Sequence, residues 1–207
     1  MNEFIFDLQR FDDTISSGDT TISAGGTYTL ASDYAGTITV DTSDAVTLVG
    51  SGALTAAQIV TGTAAASLTI NELNISSTTL SPLKFGSGGG TLTLLGTNTL
   101  STGGANAAAL NIGGGLTING TGSLTATATG YGAGIGTDYG EATSSNLTIA
   151  GGTVVATANN GAGVELGFQS GRRHNRDNGR RRQRDEYCGR RRRHGRGHGC
   201  FDQRGRD

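Results

Sequence analysis

The sequence predicts an all-β protein, a right-handed parallel β-helix or solenoid, and three observations support this prediction. The 207 residues include 36 Gly, one Pro and no Trp, a composition that argues against a compact enzyme with a large aromatic core. Short segments alternate apolar residues with Thr, which is typical of a strand with one buried face. Glycine-rich joints, such as residues 86–90 and 113–115, separate these segments, and glycine turns the chain at positive φ without steric cost.

The alternating segments recur at a nearly constant spacing. Their first residues are separated by steps of 22, 24, 24 and 31 residues, and a coil of about two dozen residues suits a parallel β-helix, in which stacked coils cover one another. The five segments are Val46-Thr47-Leu48, Leu68-Thr69-Ile70, Leu92-Thr93-Leu94, Leu116-Thr117-Ile118 and Leu147-Thr148-Ile149.

Each segment is expected to form a strand that pairs with the equivalent strand one coil away. Two interior ladders follow, and small inward residues are expected in the narrow interior that they line. The first ladder is Leu68, Leu92, Leu116 and Leu147, the second is Ile70, Leu94, Ile118 and Ile149, and the small inward residues include Ala126, Ala128, Val155 and Ala156.

The repeats are predicted to occupy residues 14–166, with residues 14–40 forming the first coils. Residues 1–13 form either an N-terminal cap or a disordered leader. Glu3 lies where a secretory signal peptide needs positive charge, which argues against an ordinary cleavable signal. No apolar run approaches the roughly twenty residues of a transmembrane helix, so we expect no membrane insertion.

The net charge of −1 conceals two dissimilar parts of the chain. Residues 1–166 contain twelve acidic residues against Arg10 and Lys84, a formal charge of −10. Residues 167–207 contain fourteen Arg against five acidic residues, a formal charge of +9, together with every His and Cys. Residues 1–166 therefore cannot supply a Cys/His zinc site, a Cys nucleophile or a Ser-His-Asp triad. Their acidity also argues against nucleic acid as a partner.

The repeats resemble those of a known group of proteins. Residues 116–136 (LTINGTGSLTATATGYGAGIG) and 147–164 (LTIAGGTVVATANNGAGV) resemble the repeats of bacterial carbohydrate-binding β-helix proteins and of glycine-rich, adhesin-like surface proteins. The resemblance implies calcium-assisted binding of acidic plant polysaccharide without catalysis, at the cell surface or outside the cell. The opening EFIFDLQRFD resembles the shared leader of some large bacterial surface proteins.

Two hypotheses account for the Arg-rich residues 167–207. They form a disordered basic tail, or they are the frameshifted translation of the next coil. If the Arg codons are CGN and one base is dropped ahead of His174, then His174 and Asn175 can both become Thr or Ile. The Thr-Ile pair so permitted falls 26 residues after Thr148-Ile149. Under this hypothesis Cys188 and Cys200 form neither a disulfide nor a metal site.

Two kinds of binding site are predicted. Calcium is the expected cofactor, because hard cations bind clustered carboxylates on loops, and Asp138 with Glu141 are the expected ligands. For carbohydrate, Tyr131 and Tyr139 are expected to stack on a sugar ring while Asn119, Asn146 and Asp138 bond its hydroxyls. The alternatives are that the acids are solvated loop residues and that the tyrosines pack within their loop.

Three other functions were weighed against carbohydrate binding. An adhesin-like or autotransporter-like structural passenger is the main alternative. Outward Thr ladders could meet ice or a crystalline polymer, although the strand propensity of Thr explains the same residues more simply. A polysaccharide lyase or hydrolase is disfavoured, because Lys84 and Arg10 are the only bases available to a lyase in residues 1–166. An open C-terminal strand edge also predicts edge-to-edge self-association.

Overall fold

The computed structural model describes residues 13–54, 56–141 and 146–165, which form β-strands and no helix. Accordingly, no helix in this part of the chain is long and apolar enough to cross a membrane. Residues 1–12 of the predicted leader and the Arg-rich residues 167–207 lie outside the described residues, while residue 13 begins the first strand. The strands are β1 (Asp13–Ile15), β2 (Thr20–Ile22), β3 (Gly26–Leu30), β4 (Ala35–Val40), β5 (Ala45–Val49), β6 (Ala53–Leu54), β7 (Ala56–Thr61), β8 (Ala66–Asn71), β9 (Asn74–Ser77), β10 (Leu83–Phe85), β11 (Gly90–Leu95), β12 (Thr97–Thr102), β13 (Leu110–Ile112), β14 (Leu116–Gly120), β15 (Ser123–Ala128), β16 (Ile135–Gly136), β17 (Leu147–Ile149) and β18 (Thr153–Ala158).

The strands form three parallel sheets. The first sheet has the order β1-β3-β5-β8-β11-β14-β17, the second β2-β4-β7-β10-β13-β16, and the third β6-β9-β12-β15-β18. From β5 onward the chain visits the first, third and second sheets in turn, and every strand pairs with its equivalent in the next repeat. The prediction of an all-β chain with parallel strand pairing is therefore confirmed for the described residues, and the arrangement is compatible with a β-helix.

The core lies between the sheets and consists of the inward residues of each strand. In β8 the inward Leu68 and Ile70 are at most 1% exposed, while the alternate residues Ser67 and Thr69 face outward. Outward positions of the first sheet align Thr27, Thr47, Thr69 and Thr93 across four neighbouring strands. This pattern of an apolar inner face and a hydroxylated outer face is the one that the alternating segments predict.

Both interior ladders differ from their predictions at the step from β11 to β14. In the first ladder Leu92 pairs with Leu68 as expected, but on its other side it pairs with Ile118, and Leu116 pairs with Gly90. In the second ladder Leu94 pairs with Ile70 as expected, but its other partner is Gly120 rather than Ile118. A shift of two residues keeps every side chain on its own face, so the alternation cannot reveal it. Gly120 then lies beside Leu94 at φ 101°, where a Cβ would collide with the Leu94 backbone.

The small residues of β15 and β18 follow the prediction with one exception. Ala126 and Ala128 are fully buried. Val155 was expected to face inward, but it pairs with the outward Thr125 and is 50% exposed. The inward residues of β18 are its neighbours Val154 and Ala156, which lie in register with Leu124 and Ala126.

Candidate functional site

A cavity of about 360 Å³ opens on the outer surface of the second sheet. Its floor includes Gln58 of β7 and Lys84 of β10, while its walls come from the connections that lead into β10 and β13 and from the segment after β16. Consecutive repeats thus contribute side chains that are far apart in sequence. The lining residues are Gln58, Thr79, Leu80, Ser81, Lys84, Ala105, Asn106, Ala107 and Asp138.

An ion-pair cluster lies at one side of this cavity. Lys84 Nζ donates to Asp138 Oδ2 at 3.3 Å and to Glu141 Oε1 at 3.0 Å. Strand register explains how these residues meet, because Lys84 pairs with Asn111 and Asn111 pairs with Gly136, the residue from which the acidic segment departs. The segment 137–141 therefore reaches back across β13 to a lysine two repeats earlier.

Several hydrogen bonds fix the two carboxylates. Ser81 Oγ and the Ala108 N–H both donate to Asp138 Oδ1 at 2.7 Å. The buried Asn111 donates through Nδ2 to Glu141 Oε2 at 3.1 Å. Each acid is thus tied to the sheet as well as to Lys84.

The protonation of the cluster follows from these contacts. Burial tends to raise the pKa of Asp138, but the hydrogen bonds from Ala108 and Ser81, the nearby Asn111 amide and the charge of Lys84 outweigh it and hold the pKa below its ordinary value. Burial likewise tends to lower the pKa of Lys84, but the hydrogen bond to Glu141 and the charges of both acids raise it overall. At neutral pH Asp138 is therefore ionised and Lys84 is protonated.

These shifts predict how the stability of the protein depends on pH. The lowered pKa of Asp138 stabilises the fold above pH 3.8, its ordinary value, and this contribution is lost as the pH falls below that. The raised pKa of Lys84 stabilises the fold below pH 10.5 and is lost as the pH rises beyond it. We expect the difference in free energy of unfolding between the wild type and Lys84→Met, measured by denaturant titration, to shrink at both extremes. A difference that stays the same at every pH would contradict the cluster.

Two exposed tyrosines flank the cavity. The rings of Tyr131 and Tyr139 have centroids 5.5 Å apart at an interplanar angle of 44°. Tyr131 N–H donates to the Ala105 carbonyl and Tyr139 N–H to the Asn106 carbonyl, each at 2.7 Å. Both carbonyls belong to the strip 105–107 that lines the cavity. Tyr131 and Tyr139 are 51% and 64% exposed, so both rings of this tilted pair are open to solvent.

The structure brings together some of the predicted site residues and separates others. Asp138 lines the cavity and Glu141 joins the ion-pair cluster beside it, while Tyr131 and Tyr139 contact each other and bond through their backbone to the strip 105–107. Asn119 and Asn146 instead belong to the first sheet, at β14 and at the start of β17. The side chain of Asn119 is part-buried, with no hydrogen-bond partner for its Oδ1 in the described structure.

The sequence reasoning missed Ser81 and Asn111 and considered Lys84 only as a base. The sequence does indicate a role for Lys84 in an ion pair, because it is the single cation between residues 11 and 166, a segment rich in Asp and Glu. Nothing in the sequence pairs it with acids 54 and 57 residues away. That pairing depends on the register of three strands.

The predicted calcium ligands have a different partner in the structure. Asp138 and Glu141 both bind the Lys84 ammonium, and the described residues contain no cluster of three or more His, Cys, Asp or Glu side chains suited to a metal. Calcium takes six to eight oxygen ligands in proteins, and here it would have to displace Lys84. The residues present fit calcium poorly, and calcium binding stays a prediction.

Comparisons of the chain with protein-family models, with curated proteins and with solved structures find no match. Its function has to be argued from the site itself.

Proposed function

We propose that the protein binds a carbohydrate chain in the cavity beside Tyr131 and Tyr139 and does not turn it over. The observation that supports this most is the exposed tyrosine pair, whose backbone is anchored to the strip that lines a polar cavity. Aromatic rings offer an apolar face to the C–H face of a sugar ring, while hydroxyls need polar partners nearby. Gln58, Ser81 and Asp138 supply such partners within the cavity.

The charge of the site bears on the class of glycan. Lys84 contributes one positive charge against the two negative charges of Asp138 and Glu141, and residues 1–166 carry a formal charge of −10. Like charges repel an acidic polysaccharide unless a cation intervenes. A neutral glycan is therefore favoured over the acidic polysaccharide that the repeats' resemblance implies.

The protonation states support binding rather than catalysis. A general base at neutral pH must be unprotonated, whereas the raised pKa keeps Lys84 protonated. A general acid must be protonated, whereas the lowered pKa keeps Asp138 ionised. Lys84 is thus unsuited to be the base of a lyase, and Asp138 to be the general acid of a hydrolase, so we propose binding without turnover.

The scaffold of this site is a right-handed parallel β-helix. Its support is the constant order in which the repeats visit the three parallel sheets, together with the right-handedness of nearly all parallel crossover connections. The location at a bacterial cell surface or outside the cell is proposed from the resemblance of the repeats alone.

Tyrosine substitutions test the proposed binding. We expect Tyr131→Ala and Tyr139→Ala each to weaken binding of a neutral oligosaccharide about tenfold, a loss of about 1.4 kcal/mol, because each removes one stacking face. Tyr131→Phe keeps the ring and is expected to bind nearly as the wild type does. Isothermal titration with neutral β-glucan and xylan oligosaccharides measures these affinities.

Matched controls separate this site from other surfaces. Leu95→Ala removes an exposed apolar side chain from the first sheet and should leave affinity unchanged. Pectate, titrated with calcium and with a chelator, tests the acidic, calcium-assisted alternative. Glycan binding that survives both tyrosine substitutions, or new reducing ends after incubation, would refute non-catalytic binding at this site.

A further inference from the structure

All three sheets end with uncovered apolar side chains in the same repeat. We call β17, β18 and Val164 the terminal edge. Ile149 of β17 is 50% exposed, although its register partner Ile118 is fully buried. Val164 bridges to the fully buried Ile135 and is itself 45% exposed. The inward row that stays covered through the earlier repeats therefore becomes open at this edge.

The register defines what would cover the terminal edge. A further repeat must place apolar side chains over five inward positions and allow glycine at the turns between them, as the preceding repeats do. The inward residues of the edge are Leu147, Ile149, Val154, Ala156 and Val164.

The chain as translated does not offer such residues. A step of 28 residues is two more than the step that aligns the shifted Thr-Ile pair with Thr148-Ile149 and is still within the observed steps of 22 to 31. It brings polar or charged residues to all five inward positions. Burying such side chains unpaired costs several kcal/mol each, so these residue types do not suit the inward positions of a further repeat. The residues at these positions are Asn175, Asp177, Arg182, Arg184 and Arg192.

The same codons read one base later satisfy every one of these positions. With CGN codons for Arg, codons 175 and 177 can each encode Ile, and codons 182, 184 and 192 can each encode Val or Ala. Codons 179, 180, 189 and 191 can encode Gly, matching Gly151, Gly152, Gly161 and Gly163 of the terminal repeat. One alternative frame, aligned at a single step of 28 residues, can thus encode an apolar residue at each of the five inward positions and glycine at each of the four glycine positions.

We propose that the terminal edge is the docking surface for one further repeat of this same pattern, encoded one base out of frame by codons 174–192. The apolar side chains that this repeat would cover include Ile149 and Val164, which are 50% and 45% exposed. This inference rests on the strand register and on the sequence, independently of carbohydrate binding.

The test compares two full-length proteins, the chain as translated and the product of a gene lacking one base ahead of codon 174. Hydrogen exchange of the β17 and β18 amides is the readout, with oligomeric state measured by light scattering. The reframed protein is expected to be a monomer whose β17 and β18 amides exchange at least tenfold more slowly. A third protein, reframed but with codons 177 and 182 set to encode Asp, should lose this protection.

Three results would overturn the proposal. The first is equal exchange in the reframed protein and the chain as translated, or in the reframed protein and its Asp control. The second is an edge whose amides are already protected from exchange in the chain as translated. A dimer would then identify a second copy as the occupant, and a monomer would identify the basic tail as the occupant. The third is a natural gene with a stop codon in the shifted frame between codons 174 and 192.

Discussion

Asp138→Ala is expected to lower the free energy of unfolding by about 2 kcal/mol and to abolish measurable glycan binding. The substitution removes the acceptor of the Ala108 N–H and of Ser81 Oγ, and leaving a largely buried donor unpaired costs about 1–3 kcal/mol. It also removes one partner of Lys84 and the main tie of the segment that carries Tyr139. Stability and affinity should therefore fall together.

Controls distinguish this role from a general effect of charge. Asp33→Ala removes an exposed acid from the same acidic body, and we expect its stability to change by less than about 0.5 kcal/mol. Asp138→Asn retains an acceptor oxygen but loses the charge, so an intermediate stability is expected. Denaturant unfolding measures the stabilities and calorimetric titration the affinities. An Asp138→Ala protein that binds glycan as the wild type does would remove Asp138 from the site.

Asn98→Ala is expected to be the most destabilising single change, with a loss of about 3 kcal/mol or more. Asn98 is fully buried in β12, where its Oδ1 accepts from the Leu73 N–H at 2.9 Å. Its Nδ2 donates to the Leu95 and Ser123 carbonyls at 2.8 and 3.1 Å. Alanine would leave three backbone groups of three successive repeats without this partner, at about 1–3 kcal/mol for each group that stays buried and unpaired.

The neighbouring strand provides a matched control for Asn98. Asn74 in β9 is exposed, and Asn74→Ala is expected to change the stability by less than about 0.5 kcal/mol. Thermal and denaturant unfolding of both variants gives the comparison. Equal losses for Asn98→Ala and Asn74→Ala would show that the buried amide does not hold successive repeats together.

The strands were predictable because their side chains alternate between a buried and an exposed face. Leu68-Thr69-Ile70 shows this alternation, and the structure places its residues on the predicted faces. Alternation does not fix register, since a shift of two residues leaves each side chain on its face. Leu116 accordingly pairs with Gly90 rather than with Leu92. The sequence also offers no reason to bury the polar Asn98, because its role depends on the Leu73 N–H and the Ser123 carbonyl of neighbouring repeats as well as on the nearby Leu95 carbonyl.

The candidate site was predictable only where residues close together in the sequence form it. Tyr131 and Tyr139 lie eight residues apart on either side of one glycine-rich joint, so local sequence suffices to bring them together. Lys84 meets Asp138 only through the pairing of β10, β13 and β16. Asn119 was predicted to bond sugar hydroxyls beside the tyrosines, whereas the strand order places it in the first sheet.

Tyrosine ring resonances provide the most direct test of carbohydrate binding at this site. The chain contains five Tyr and no Trp, so selective ring labelling of tyrosine yields few signals. On titration with a neutral oligosaccharide, we expect the Tyr131 and Tyr139 resonances to shift with one common dissociation constant while those of Tyr28 and the buried Tyr34 stay in place. Saturable binding that leaves both the Tyr131 and Tyr139 resonances unmoved would contradict the proposed site, and the absence of any shift across a panel of glycans would contradict the proposed function.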